Sequence, residues 1–194
     1  MTSTAGKTLL LAFLSLGIGG CVSKIKMKYL NEPYIEEQIK IPVLIKEIEI
    51  SDKRDNISSA DIEIPRHSKN GDTIIVRPPL SAEQRKVLED ELGNYVTASG
   101  TEVKAVVEIL KGEKKFMAAR VSEVERVKTK LSVTLYDTSD AIYFAKGNGE
   151  AMFELTSLDA SDEYIEKLYC KALKASVYKC FEGIREYLKQ KENQ

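Results

Sequence analysis

The chain of 194 residues has no tryptophan and a single histidine, His67. Imidazole is the usual protein ligand for zinc and iron, so a multi-histidine metal site is excluded. Neither sign of charge is in excess, with 29 Lys and Arg against 30 Asp and Glu. That balance lacks the basic field that nucleic-acid binding needs, and no nucleic-acid partner is expected. No apolar run reaches the ~20 residues of a membrane-spanning helix. Cysteine is limited to Cys21, Cys170 and Cys180. No grouping of nucleophile, base and orienting acid stands out by spacing, so neither an enzyme nor a cofactor is expected. What remains is 43% apolar and 30% charged, ordinary for one folded domain with its own core.

The amino terminus is the most informative stretch. Lys7 supplies a positive start, "LLLAFLSLGI" at residues 9–18 a short apolar core, and small residues follow. This is the layout of a secretory signal peptide, assigned to residues 1–20. "AGKT" at residues 5–8 mimics the end of a phosphate-binding loop, but the required leading glycine is replaced by Met1. "IGGC" at residues 18–21 resembles the lipobox of bacterial lipoproteins. That resemblance implies a diacylglycerol on the Cys21 thiol, cleavage before Cys21 and acylation of the new amine. Ordinary cleavage after Gly19 also meets the small-residue rule and is the competing reading. Each buried methylene contributes about 0.8 kcal/mol, so two or three acyl chains attach a protein stably. Val22 follows the cysteine, where an Asp in enteric bacteria resembles an inner-membrane retention signal. Its absence favours the outer membrane, with the protein facing the periplasm.

Residues 21–38 read as a lipidated tether, and residues 39–194 as a single α+β domain. In the tether Lys24, Lys26 and Lys28 alternate with Ile25 and Met27. The segment is either a solvated linker or a contact with anionic headgroups. "IKIPVLIKEIEIS" at 39–51 has a period near two and predicts a strand. "ADIEIPRHS" is a second, short strand candidate. "KNGD" at 69–72 signals a turn, and "TIIVRPP" a strand stopped by prolines. Ser81 and Gln84 form a capping-box pattern, followed by a stripe of Val87, Leu88, Leu92, Tyr95 and Val96. Gly100 is the expected helix stop.

"TEVKAVVEIL" predicts a strand and "KGEK" at 111–114 a hairpin turn. Met117, Ala119 and Val121 alternate beyond it, then Val127, Thr129, Leu131, Val133 and Leu135. "VSEVERVKTK" at 121–130 is highly charged and is either a protruding strand or a break. "AIYFAK", a turn at "GNG" (147–149) and "EAMFEL" extend the meander. A long helix begins near Ser161, with a stripe of Ile165, Leu168, Tyr169, Ala172, Leu173, Val177, Phe181, Ile184 and Leu188. The expected architecture is α+β, an antiparallel-rich sheet with two helices packed on one face.

Few residues invite chemistry. Cys170 and Cys180 sit ten residues apart in one predicted helix, about 15 Å along its axis. A disulfide needs Cα atoms within about 7 Å, so the pair is unbonded unless the helix breaks. Cys180 falls in the apolar stripe; Cys170 lies near its edge, as a free thiol or an intermolecular partner. His67 reads as a solvated loop residue. The pair Glu36–Glu37 belongs to the linker, and Asp162–Glu163 suits a helix N-terminus. Tyr164, Tyr169, Tyr178 and Tyr187 read as packing residues.

The order of strands, helix, hairpins and helix, with "LEDELGNYV" and "KLSVTLYD" in place, resembles small α+β envelope lipoproteins of the YajG type. It also resembles the auxiliary lipoproteins of ABC-type transport. The resemblance implies a non-catalytic protein with an envelope protein as partner. Two functions follow: a lipid-tethered scaffold or accessory subunit, or a carrier of a small apolar ligand such as a lipid. An exposed sheet edge or the charged 121–130 stretch is the expected contact surface of the first.

Overall fold

The computed structural model describes residues 26–30, 39–58, 60–65, 69–138, 143–158 and 160–193. The signal peptide, Cys21, the Glu36–Glu37 pair and His67 lie outside the described residues. In chain order the elements are β1 (Lys26–Leu30), β2 (Ile41–Asp52), β3 (Thr73–Val76), α1 (Ala82–Gly93), β4 (Val96–Ala118), β5 (Glu123–Asp137), β6 (Tyr143–Ser157) and α2 (Asp162–Glu192). The strands join in one sheet in the order β1-β6-β5-β4-β2. β3 pairs with the second half of β4, beyond the point where β2 leaves it. The β2–β4 ladder is parallel and the others are antiparallel. The protein is therefore α+β, as the periodicity predicts, with both helices on one face.

The helices start where local chemistry dictates. Ser81 Oγ accepts from Gln84 N, and Gln84 Oε1 accepts from Ser81 N, both at 3.1 Å. This reciprocal box satisfies two donors that the first turn leaves orphaned. Ser161 caps α2 without the reciprocal bond, its Oγ accepting from Tyr164 N at 3.2 Å. Asp162 and Glu163 occupy its first turn and Lys189 and Lys191 its last, each sign matched to the helix dipole. The predicted stripe of α2 is buried from Ile165 to Ile184, with Leu188 packed at its edge. Tyr95, just after α1, stacks on Phe181 at 5.2 Å between ring centroids.

Several local expectations are corrected. Lys26–Leu30, inside the expected tether, is a strand paired along β6 from Thr156 to Met152. "ADIEIPRHS" is not a strand over residues 60–65, and residues 66–68 lie outside the described set. α1 ends at Gly93, not Gly100, because Val96 already pairs with Ile41. Gly100 instead serves a close approach within β4. Its φ is 137°, and a Cβ there would lie 2.5 Å from the Pro42 carbonyl carbon.

"KGEK" is no turn. β4 runs straight through it, with a bulge between Ile109 and Lys111. The extra residue reverses the alternation, so odd residues face the helices up to Ile109 and even ones from Gly112 to Ala118. Phe116 and Ala118 are therefore buried, while Ala119 and Val121, expected on the core face, are exposed. The chain turns at 119–122, where Ala119 N donates to Ser122 O at 2.8 Å. "GNG" is likewise mid-strand in β6. Among the described residues, the meander after α1 is three long strands, β4, β5 and β6.

The two glycines of β6 have a packing reason. A Cβ on Gly147 would lie 2.6 Å from the Cys180 carbonyl carbon, and one on Gly149 2.8 Å from that of Ser176. The backbone of α2 thus rests directly on the backbone of β6.

Candidate interaction surface and buried polar cluster

The face of the sheet away from the helices carries charge in registered pairs. Lys104 on β4 reaches Glu47 at 2.7 Å and Glu49 at 2.9 Å on β2. Arg126 on β5 pairs with Glu154 on β6 at 2.5 Å, and Lys128 pairs with Glu150. Arg77 meets Glu113 at 2.6 Å. Such exposed pairs each contribute little to stability, about 0–1 kcal/mol. They do, however, neutralise one another across the strands and keep the face wet. The charged 121–130 stretch therefore does not protrude. From Glu123 onward it is the middle of the sheet, hydrogen-bonded on both sides by β4 and β6.

β2 is the terminal strand of the sheet on the β4 side. It carries two register irregularities, at Ile41/Val43 and Ile45/Glu47, and the exposed Lys46, Glu47 and Glu49. Bulges and charges are the devices that stop an edge from recruiting another strand. Beside the start of β2 lies a cleft of about 430 Å³. Ile41, Phe144 and Leu188 give it an apolar wall; Lys40, Arg185, Lys189 and Lys191 line it with positive charge against Glu192 alone.

A buried ionic cluster lies between the helices and β4. Lys114 is 1% exposed because the bulge turns it inward. Its Nζ donates to Asp61 Oδ2 at 2.7 Å and Glu166 Oε2 at 2.5 Å, and sits 5.2 Å from the centroid of the Tyr169 ring. Gln84 Nε2 donates to the other oxygen of Glu166 at 2.7 Å. One glutamine thus caps α1 and ties it to α2. Arg54 closes the neighbouring gap where β2 gives way to β3. It donates to Asp52, to the Gly112 carbonyl at 3.0 Å and to the Pro78 carbonyl at 2.8 Å. Every charge here has an opposite partner, so the cluster acts as a structural tie.

Neither described thiol is activated. Burial pushes Cys170 up to about 11, with Glu166 and Glu83 adding to the shift. Burial pushes Cys180 to about 12. At neutral pH both stay protonated, which removes nucleophilic chemistry from them. Both are free cysteines, as their spacing on one helix requires. Tyr169 and Tyr178 are buried, whereas Tyr164 and Tyr187 are part-exposed at the two ends of α2.

Glu125 was missed by the sequence reading and is the most perturbed carboxyl described. It is fully buried on β5; Oε1 accepts from Ser161 N at 3.1 Å. Burial raises its pKa to about 7, helped by Glu123 and Asp162 and opposed by the Ser161 bond. An acid raised in the folded state contributes stability below its unfolded pKa, and loses it as pH rises through the folded one. Stability should therefore fall from about pH 4.5 to beyond pH 7. Glu125→Gln keeps the acceptor, and is expected to flatten that decline and add about 1–3 kcal/mol at pH 8. Urea unfolding at pH 5, 6.5 and 8 tests this; equal slopes in both proteins would refute it.

No family model matches the sequence, and no curated protein matches it. Among solved structures, the chain is similar to a Xanthomonas campestris protein of family DUF330. The TM-score is 0.44 and the identity 12%, over 79% of this chain and 90% of that one. It is also similar to a candidate lipoprotein of Caulobacter crescentus, with TM-score 0.35 and 10% identity over 57% of this chain and 82% of that one. Likenesses of this strength carry no functional assignment.

Proposed function

We propose that this chain is a lipid-anchored, non-catalytic envelope protein. It is held through acylated Cys21 at the outer membrane, faces the periplasm, and acts as a binding or scaffold subunit of a transport or assembly complex. One observation carries the anchor: "IGGC" closes a charged and then apolar leader that is too short to span a bilayer. The inert thiols and the paired charges around Lys114 and Arg54 support a role without catalysis.

Binding to a protein is favoured over carriage of an apolar ligand. A carrier needs an apolar cavity between sheet and helix, and here α2 and β6 meet backbone to backbone at Gly147 and Gly149. The cleft beside β2 suits a protein segment that combines an apolar residue with acidic ones. The blunted β2 edge favours docking by side chains rather than by strand addition.

Cys21→Ser tests the anchor. The substituted protein is expected to stay out of the floating membrane fraction at high salt, where wild type rises with the lipid. Continued flotation would refute the anchor. Lys189→Glu with Lys191→Glu tests the cleft: in-cell crosslinking from a photoreactive group at Leu188 should fall several-fold while flotation is unchanged.

A further inference from the structure

The strand found inside the expected tether shortens the leash. β1 runs antiparallel to β6 and enters the sheet at Lys26, opposite Thr156. Five peptide steps separate Cys21 from Lys26, and an extended chain gains about 3.4 Å at each, a reach of about 17 Å. Whatever holds Cys21 therefore holds one particular end of the sheet close by.

That end is distinctive. Glu123 at the start of β5 pairs with Ser157 at the end of β6, so Val121 and Leu158 each stand just past the last pair. They are 79% and 63% exposed, the most exposed large hydrophobic residues among those described. Tyr164, in the first turn of α2, is 38% exposed at the same end. The 69–72 turn joins them there: Gly71 N donates to Ala118 O and Ala118 N to Asp72 O, both at 2.8 Å.

We propose that this end of the domain, through Val121, Leu158 and Tyr164, rests on the surface of the lipid bilayer. The inference depends on the Cys21 anchor proposed above. Aliphatic side chains gain from leaving water at the headgroup boundary, and a tyrosine ring places its apolar body inward and its hydroxyl in the wet layer. α2 then leads away from the membrane. It follows β5, with Ser161 at Glu125, Ala172 at Thr129 and Cys180 at Leu131. Its 31 residues span about 46 Å. The cleft lined by Lys189 and Lys191 is held at the far end, where a partner in the aqueous compartment reaches it.

The test uses the mature acylated protein, beginning at Cys21, in phosphatidylethanolamine–phosphatidylglycerol vesicles, with Cys170→Ala as background. An environment-sensitive fluorophore is placed through Val121→Cys or, at the far end, through Lys191→Cys. The label at 121 is expected to emit at shorter wavelength and to be quenched several-fold more than the label at 191 by a headgroup-level spin-labelled lipid. A protein that floats with the vesicles while its two labels are quenched equally would overturn the orientation and leave the anchor standing. An acylated protein that fails to float would overturn both.

Discussion

Gly147→Ala is expected to destabilise the protein by about 3 kcal/mol or more, whereas Gly183→Ala is expected to be neutral or stabilising. Both glycines lie where α2 crosses β6, yet their surroundings differ. A Cβ on Gly147 would fall on the carbonyl of Cys180, which is helix backbone and cannot rotate away. Accommodating it requires α2 to lift off the sheet, opening gaps beside Val177, Phe181 and Ile184. A Cβ on Gly183 meets only the Gly147 Cα at 3.8 Å, an ordinary contact. The helix then gains up to about 1 kcal/mol from the better helix former. Thermal and urea unfolding of the two variants check the contrast. Equal effects would show that α2 does not rest on β6 as described.

Lys114→Met is expected to cost about 2–4 kcal/mol, because it leaves Glu166 and Asp61 without their shared cation. Asp61 is half-exposed and regains water, so Glu166 carries most of the loss. Glu166→Gln added to Lys114→Met removes the stranded charge and still offers an amide oxygen to Gln84. It should recover a large part of the stability, and the double-mutant cycle should show coupling above about 1 kcal/mol. A Lys114→Met variant as stable as wild type would mean that the cluster ties nothing together.

Lys114 also shows where sequence reading stops. In "LKGEKKF" the lysine looks like one more wet residue near a turn. Only the bulge after Ile109 changes the parity of β4 and swings it inward. A bulge is set by the pairing of two strands, which no local window contains. Gly112, Gly147 and Gly149 mislead for a related reason. A glycine that allows a turn and one that admits a close neighbour, side chains at Gly112 and helix backbone at Gly147 and Gly149, leave the same letter. The structure distinguishes them by what stands within reach of an added Cβ. Glu125 gave no signal at all, since its burial depends on Ser161 and the start of α2, 36 residues away, meeting the end of β5.

The parts legible in advance were those decided within a few residues. The Ser81–Gln84 box, the start of α2 near Ser161, the helical period of the α2 stripe and the Asn70–Gly71 turn are each set by near neighbours in sequence, and all four stand in the structure. The α+β class followed from periods of two and of 3.6 in alternation. Sheet order, the parallel pairing of β2, the inward turn of Lys114 and the recruitment of Lys26–Leu30 to the far edge were settled by tertiary structure alone. Each joins residues distant in sequence, and its energy exists only once the rest of the core is in place.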